Sequence, residues 1–355
     1  MGEKLLFKGN EAIAEAAIRA GCRYYFGYPI TPQNAIPEYM SRRMPEIGGV
    51  FLQAESEIAA INMVFGAGGS GVRAMTTTSS PGISLMQEGI SYLAGAEIPC
   101  VIVNVMRGGP GLGGIQPAQS DYFQATKGGG HGDYSCIVLG PSTLQELAEF
   151  VFLAFELADK YRNPVIILTD GVMGQMMEPV EFLPEVDISK LPQKKWATTG
   201  AKNRKKIILK SLFLDPEKLE KHNIHLQEKF KRMQDEIRWE EISSEDCELL
   251  LVAYGTAARV SKKAITVAKE IGLSFGIFRP LTLYPFPYTQ LKEVVKKGKV
   301  KKILVVEMNM GQMIEDVKLA IEGLVPVEFY GRTGGVMPVV DEIIEKAKKM
   351  LKEVV

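Results

Sequence analysis

Three short stretches of this chain place reactive or recognition side chains beside residues that fix a backbone. Gly27-Tyr28-Pro29-Ile30-Thr31-Pro32 follows an aromatic run, and its two prolines make a stiff loop offering one hydroxyl, that of Thr31. Open parallel sheets bind ligands at the carboxyl ends of their strands, which is where such a loop would stand. A plain alternative is that Thr31 caps the next helix, with Pro32 in its first turn.

Gln53-Ala54-Glu55-Ser56-Glu57 leads from an apolar strand into a run of small and apolar residues beginning at Ile58. Ser56 suits an N-cap, so Glu57 falls in the first helical turn. On a surface that carboxylate would only complement the helix dipole, an effect worth up to about 1 kcal/mol. This helix reads as buried all round, and burial drives a carboxyl toward its neutral form more strongly than a dipole opposes it. Glu57 is therefore expected to be a tuned acid.

The third stretch is the apolar strand ending Val105-Met106-Arg107, followed by Gly108-Gly-Pro-Gly-Leu-Gly-Gly114. Five glycines in seven residues let a ligand approach the backbone, and Arg107 offers a fork for a carboxylate or phosphate. The alternative is a flexible loop with a surface arginine. The run lacks the Gly-Lys-Ser/Thr of a Walker A loop and the helix opening of a Rossmann fingerprint. His131, in Gly128-Gly-Gly-His-Gly-Asp133, is a lone histidine, and the other two, His222 and His225, stand far downstream. No G-x-S-x-G, H-E-x-x-H or kinase signature is present.

These residues need a scaffold, and the pattern around them supplies one. Strand candidates at 24–27, 49–53, 73–77, 100–105, 135–139 and 165–168 alternate with helical runs at 9–20, 33–45, 56–69, 83–96 and 142–161. Near-continuous apolar strands in such alternation predict an α/β fold with a parallel sheet covered on both faces. Residues 184–247 hold 14 Lys/Arg and 12 Asp/Glu in 64 positions and read as a charged connecting arm. Its second half, Pro216 to Glu241, patterns as a lightly packed helix. Alternation resumes over 248–355, a second and smaller α/β domain, so the expected division is 1–183, 184–247 and 248–355.

Composition narrows the function. The chain has 355 residues, room for more than one domain, and its 42 Lys/Arg balance 42 Asp/Glu, which argues against nucleic acid as the main partner. Its 4 cysteines include no C-x-x-C, so no zinc, iron-sulfur cluster or redox dithiol is expected on this chain. No apolar stretch reaches the roughly 18 residues of a membrane helix, and the charged start Met-Gly-Glu-Lys lacks a signal-peptide core, so a cytoplasmic protein with no membrane partner is expected.

Taken in order, Tyr28-Pro-Ile-Thr-Pro32, Ser56-Glu57, Thr77-Thr-Ser-Ser-Pro-Gly82, Pro99 to Arg107 and the Gly-rich loop resemble the α-type subunit of 2-oxoacid:ferredoxin oxidoreductases. The 3-methyl-2-oxobutanoate type is the nearest likeness, with the 2-oxoglutarate type next. Arg279-Pro-Leu-Thr-Leu-Tyr-Pro-Phe-Pro287 and Val306-Glu-Met-Asn-Met-Gly-Gln312 extend the resemblance to that family's transketolase C-terminal-like domain. It implies a thiamine-diphosphate pyrimidine domain plus that smaller domain. The family's Gly-Asp-Gly diphosphate motif is missing, since Asp170-Gly171 stands alone after Thr169.

By resemblance, Tyr28, Pro29, Ile30, Thr78 and Ser79 contact the cofactor. Glu57 hydrogen-bonds N1′ of its aminopyrimidine and promotes the tautomer that deprotonates the thiazolium carbon. Thr31 and Arg107 receive the substrate, Arg107 pairing its carboxylate. No metal ligand is assigned here: the magnesium-diphosphate site and an iron-sulfur cluster are assigned to a β-type partner, with γ-type and ferredoxin-like subunits also expected. Electrons would pass to ferredoxin and the acyl group to CoA. A 2-oxoglutarate substrate, a ferredoxin-independent 2-oxoacid dehydrogenase component and a non-catalytic assembly subunit are the competing readings. A distal substrate carboxylate would need a second cation, and after Arg107 the next is Lys127. Leu112 and Ile115 suit an aliphatic tail, so 3-methyl-2-oxobutanoate is the expected substrate.

Overall fold

The computed structural model describes residues 4–352; Met1 to Glu3 of the N-terminal reading and 353–355 of the expected last helix lie outside the described residues. Fourteen strands occur among the described residues. Eight precede the arm: β1 (Leu5–Lys8), β2 (Tyr24–Gly27), β3 (Val50–Gln53), β4 (Ala74–Thr78), β5 (Cys100–Met106), β6 (Ile137–Leu139), β7 (Pro164–Asp170) and β8 (Met177–Val180). The rest are β9 (Trp239–Ile242), β10 (Leu249–Val252), β11 (Phe275–Pro280), β12 (Thr282–Tyr284), β13 (Lys302–Glu307) and β14 (Val327–Gly331).

A seven-stranded sheet runs in the order β12-β6-β7-β5-β4-β2-β3, all parallel except β12. Every residue of β5 and β7 is buried, which is why these strands read as near-continuous apolar runs, interrupted only by Asn104, Thr169 and Asp170, and sit at the centre. One apolar cluster packs the helix Gly9–Arg19 and the helix Leu144–Tyr161 on one face. Another packs the helices Glu57–Gly69 and Ser80–Gly95 on the opposite face. Order β14-β13-β10-β11-β9 forms the second sheet, parallel but for β9. The fold class is the one expected from the alternation.

Several elements depart from expectation. The arm is more than a solvated connector. Its helix ends at Arg232, and β9 then joins the second sheet beside β11. That helix also buries Leu226, Lys229 and Phe230 against the first sheet's covering, and Met233 beyond it is fully buried. Tyr161 and Lys160 both bond Glu236, fixing its end. A thin apolar stripe gives little sign of this, because the burial depends on a groove supplied by distant sequence. In return, β12 leaves the C-terminal half to pair with β6, so each half lends the other an edge strand. The antiparallel pair β1-β8 likewise has no local signal, being two four-residue runs far apart in sequence.

The halves are bolted by charge and hydrogen bonds. Arg279, 1% exposed, forks onto Glu146 at 2.6 and 2.7 Å and reaches Glu240 at 2.7 Å. Gln119 bonds the backbone of Tyr254 and Met308. The four cysteines are buried and unpaired.

Candidate functional site

The carboxyl ends of β2, β4 and β5 converge, and the three chemical stretches meet there. Ser56 caps the helix Glu57–Gly69, accepting the Ala59 amide at 3.2 Å, so Glu57 occupies the first turn as expected. Glu57 is 4% exposed and accepts no hydrogen bond from the described residues, although a buried carboxylate ordinarily finds a donor. It lies against the start of the neighbouring helix: a Cβ placed on Gly82 would fall 2.4 Å from its Oε1 and 2.1 Å from Thr78 Oγ1. The helix that carries Glu57 is not buried all round, because Ile58 is 49% exposed and Asn62 also faces out. What buries Glu57 is the helix Ser80–Gly95, a tertiary neighbour.

Thr78 and Ser79 are fully buried, and the Ser79 hydroxyl has no partner among the described residues. The Tyr28–Pro32 loop is held from below: Gln33 donates to the Tyr28 carbonyl at 3.0 Å and accepts from Thr77 at 2.6 Å, and Tyr25 bonds the same Thr77 hydroxyl at 2.7 Å. Thr31 is no helix cap, since the next helix begins at Ala35 after Asn34. Tyr28 and Pro29 remain exposed, Ile30 and Thr31 half-buried.

Arg107 is buried and locked. It donates to the Thr31 carbonyl at 2.9 Å and the Leu112 carbonyl at 3.2 Å, which ties the two loops together, and its Nε–H has no partner among the described residues. The Gly-rich loop is closed by Gly114 N–H to Gly108 O at 2.9 Å and Gly108 N–H to Gln116 O at 2.8 Å, so it is structured rather than free. Gly113 adopts φ of 60° with an ideal Cβ 1.8 Å from the Gly108 carbonyl, a position no side chain could share. Leu112 and Ile115 project from this loop, 81% and 59% exposed. Lys127 is not free to meet a second carboxylate: it pairs with buried Asp316, which also accepts from Tyr122 and Tyr288.

Other candidates fall outside. His131 sits at the far end of the helix Ser80–Gly95, its ring against Tyr92 and its carbonyl bonded by Ser91. His222 and His225 bond Gly95 and Glu97 at that same end. Asp170 is buried, accepts the Thr256 hydroxyl at 2.8 Å and caps a five-residue helix; burial raises its carboxyl pKa against the pull of those donors. Among the described residues no three His, Cys, Asp or Glu side chains gather as metal ligands, and no helix is long and apolar enough to cross a membrane.

Two contributors carry no sequence signal of their part in the site. Gly82 ends the Thr77-Thr-Ser-Ser-Pro-Gly82 motif, but only its contact with Glu57 reveals what it does. Asp121 is placed by folding alone: its Oδ2 accepts Ser80 Oγ at 2.5 Å and Asn104 Nδ2 at 2.9 Å. Beside it, a cleft of about 450 Å³ opens between Gly108–Gly111, Ser80 and the turn at Asn309–Gln312.

A buried carboxyl group with no hydrogen-bond partner among the described residues fits a ring nitrogen with which it could share a proton, as an aminopyrimidine offers. Known proteins point the same way. Residues 15–244 match the family described as pyruvate flavodoxin/ferredoxin oxidoreductase, thiamine diphosphate-binding, and 247–343 match pyruvate:ferredoxin oxidoreductase core domain II. The chain is 49% identical over 346 residues to a ketoisovalerate oxidoreductase subunit VorB of Methanothermobacter thermautotrophicus, covering 97% of each. It is 37% identical over 351 residues to a 2-oxoglutarate synthase subunit KorA of Methanocaldococcus jannaschii, covering 92% of this chain and 94% of that one. A 2-oxoglutarate:ferredoxin oxidoreductase from Magnetococcus marinus superposes with a TM-score of 0.83 at 26% identity, covering 98% of this chain but 65% of that longer one. A split-gene transketolase, TM-score 0.57 at 11% identity, shares the fold.

Proposed function

Because this chain belongs to the 2-oxoacid:ferredoxin oxidoreductase family, we propose that it is the subunit that holds the aminopyrimidine of thiamine diphosphate during CoA-dependent oxidative decarboxylation of a 2-oxoacid, with 3-methyl-2-oxobutanoate as the first-ranked substrate. The observation that carries this reading is Glu57, buried and without a hydrogen-bond partner beside Gly82. When bound, thiamine diphosphate supplies the carbon nucleophile and electron sink that decarboxylation requires.

The chain's own residues do the rest. Glu57 would share a proton with the pyrimidine N1′, and its burial would strengthen that bond. Tyr28, Pro29 and Ile30 on the braced loop, with Thr78 and Ser79, would hold the cofactor. Arg107 and Thr31 receive the substrate carboxylate through donors left over from the backbone bonds. Leu112 and Ile115 meet an aliphatic tail. With Lys127 committed to Asp316, it is not available to pair a distal carboxylate, and such a charge buried without a partner would cost several kcal/mol. The 2-oxoglutarate reading therefore ranks second, favoured by the 37% identical relative.

The chain takes residues 1–183 as its pyrimidine unit, 184–247 as an arm and 248–355 as the C-terminal unit, and works in the cytoplasm. Partner subunits supply the magnesium-diphosphate site, the iron-sulfur clusters and the route to ferredoxin. Two measurements test this. In the assembled complex, 3-methyl-2-oxobutanoate should give a higher kcat/KM than pyruvate or 2-oxoglutarate; a preference for 2-oxoglutarate overturns the substrate. By calorimetry, the lone chain should bind thiamine diphosphate weakly; tight magnesium-dependent binding overturns the shared site.

A further inference from the structure

The Arg107 amide donates to Ser80 Oγ at 3.0 Å, and Ser80 Oγ lies 2.5 Å from Asp121 Oδ2 and 3.1 Å from the Arg107 carbonyl. A hydroxyl has one proton. With the Arg107 amide donating to Ser80, that proton goes to the shorter and charge-assisted contact, the carboxylate. Asn104, three residues before Arg107 on β5, donates to the same carboxylate oxygen. A directed chain results, from the Arg107 amide through the Ser80 hydroxyl to Asp121, with Asn104 closing it from the strand.

The two ends of this chain belong to the two halves of the site. Ser80 opens the helix whose first turn holds Gly82 against the Glu57 carboxylate. Arg107 follows β5 and carries the fork that ties the Thr31 and Leu112 carbonyls. Asp121 itself sits in a loop, half-buried, and caps no helix with its side chain, so its carboxylate serves Ser80 and Asn104.

We infer that Asp121 is a positioning residue, which sets the spacing between Arg107 and Glu57 by orienting the Ser80 hydroxyl that receives the Arg107 amide. The inference rests on the reading of Arg107 as the substrate-carboxylate fork and adds a residue to that site. Asp121 acts through Ser80, whose hydroxyl its carboxylate accepts. Its effect is transmitted by where the guanidinium stands, because a displaced fork holds the substrate carboxylate less well.

The experiment uses the assembled complex with D121A, S80A, the double variant, D121N and R107K. Asn keeps a carbonyl oxygen able to accept both bonds, so D121N should restore most of what D121A loses. D121A and S80A should each raise KM for 3-methyl-2-oxobutanoate by roughly tenfold or more while kcat changes less. The double variant should be no worse than the poorer single one, because both break one chain. Calorimetric binding of the 2-oxoacid to complex freed of thiamine diphosphate should weaken in parallel.

If R107K leaves KM and binding unchanged, the fork reading falls and the inference with it. If R107K weakens binding but D121A and S80A do not, the inference alone falls. It falls likewise if the single effects add, or if D121N is as poor as D121A. Should D121A fail to fold, S80A against R107K still decides.

Discussion

Glu57 Oε1 and Gly82 are in such close contact that a single methyl on Gly82 would overlap the carboxylate, 2.4 Å from Oε1. A helical Gly→Ala change ordinarily stabilises by up to about 1 kcal/mol. Here the clash decides the sign. G82A should lower Tm and reduce turnover at least as far as loss of the carboxylate does, measured by thermal melts and steady-state assay. An active, more stable G82A complex would show that Glu57 does not need this space.

Glu57 and Glu55 flank Ser56 but face different surroundings, one buried and one exposed. E57Q should leave assembly intact and slow turnover by a factor on the order of 10² or more. E55Q should change it little. Equal losses would mean that burial is not what distinguishes the two.

Arg279 holds Glu146 and Glu240, and its removal leaves Glu146 without its cation while Glu240 keeps Lys262 at 2.8 Å. R279A should cost roughly 1.5 to 3 kcal/mol in a denaturant titration, the scale of hydrogen bonds to charged groups. Burial by itself would raise the Glu146 and Glu240 carboxyls, but Arg279 helps hold both below the usual carboxylate range. Their contribution is then present above the ordinary carboxyl pKa of about 4.3 and is lost as pH falls through the lower folded values. The stability gap between wild type and R279A should therefore narrow under acid conditions, and a gap independent of pH would contradict the pairing.

Lys229, 2% exposed on the arm helix, has its pKa pushed down to about 8 by burial, against the opposing pull of Glu97. The folded arm thus binds this proton less tightly than the unfolded chain, whose lysine titrates near about 10.4. Below a pH of about 8 the cost of the buried charge is fully present, and it is relieved as pH rises toward about 10.4. Relative to K229M, wild type should gain stability over that window in melts from about pH 7 to about pH 10. A flat difference would mean that Lys229 remains solvated.

Glu57, Thr31 and Arg107 can be picked out because they are the polar residues at the ends of apolar runs, and the central strands because β5 and β7 lie between two covered faces. Local pattern also assigns Ser56 its capping role. The interlocking of the halves is not legible: β9 and β12 are short strands whose partners lie far along the chain, and three or four residues cannot declare a period. Glu57 is buried as its apolar helix suggests, but the cause is Gly82's helix rather than its own, which sequence does not show. Sequence alone determined which side chains stand at the strand ends, since that follows from alternation along one segment. Only the tertiary structure decided what each touches, because Gly82, Asp121 and Asp316 reach Glu57, Ser80 and Lys127 through contacts between segments that the chain's linear order does not encode.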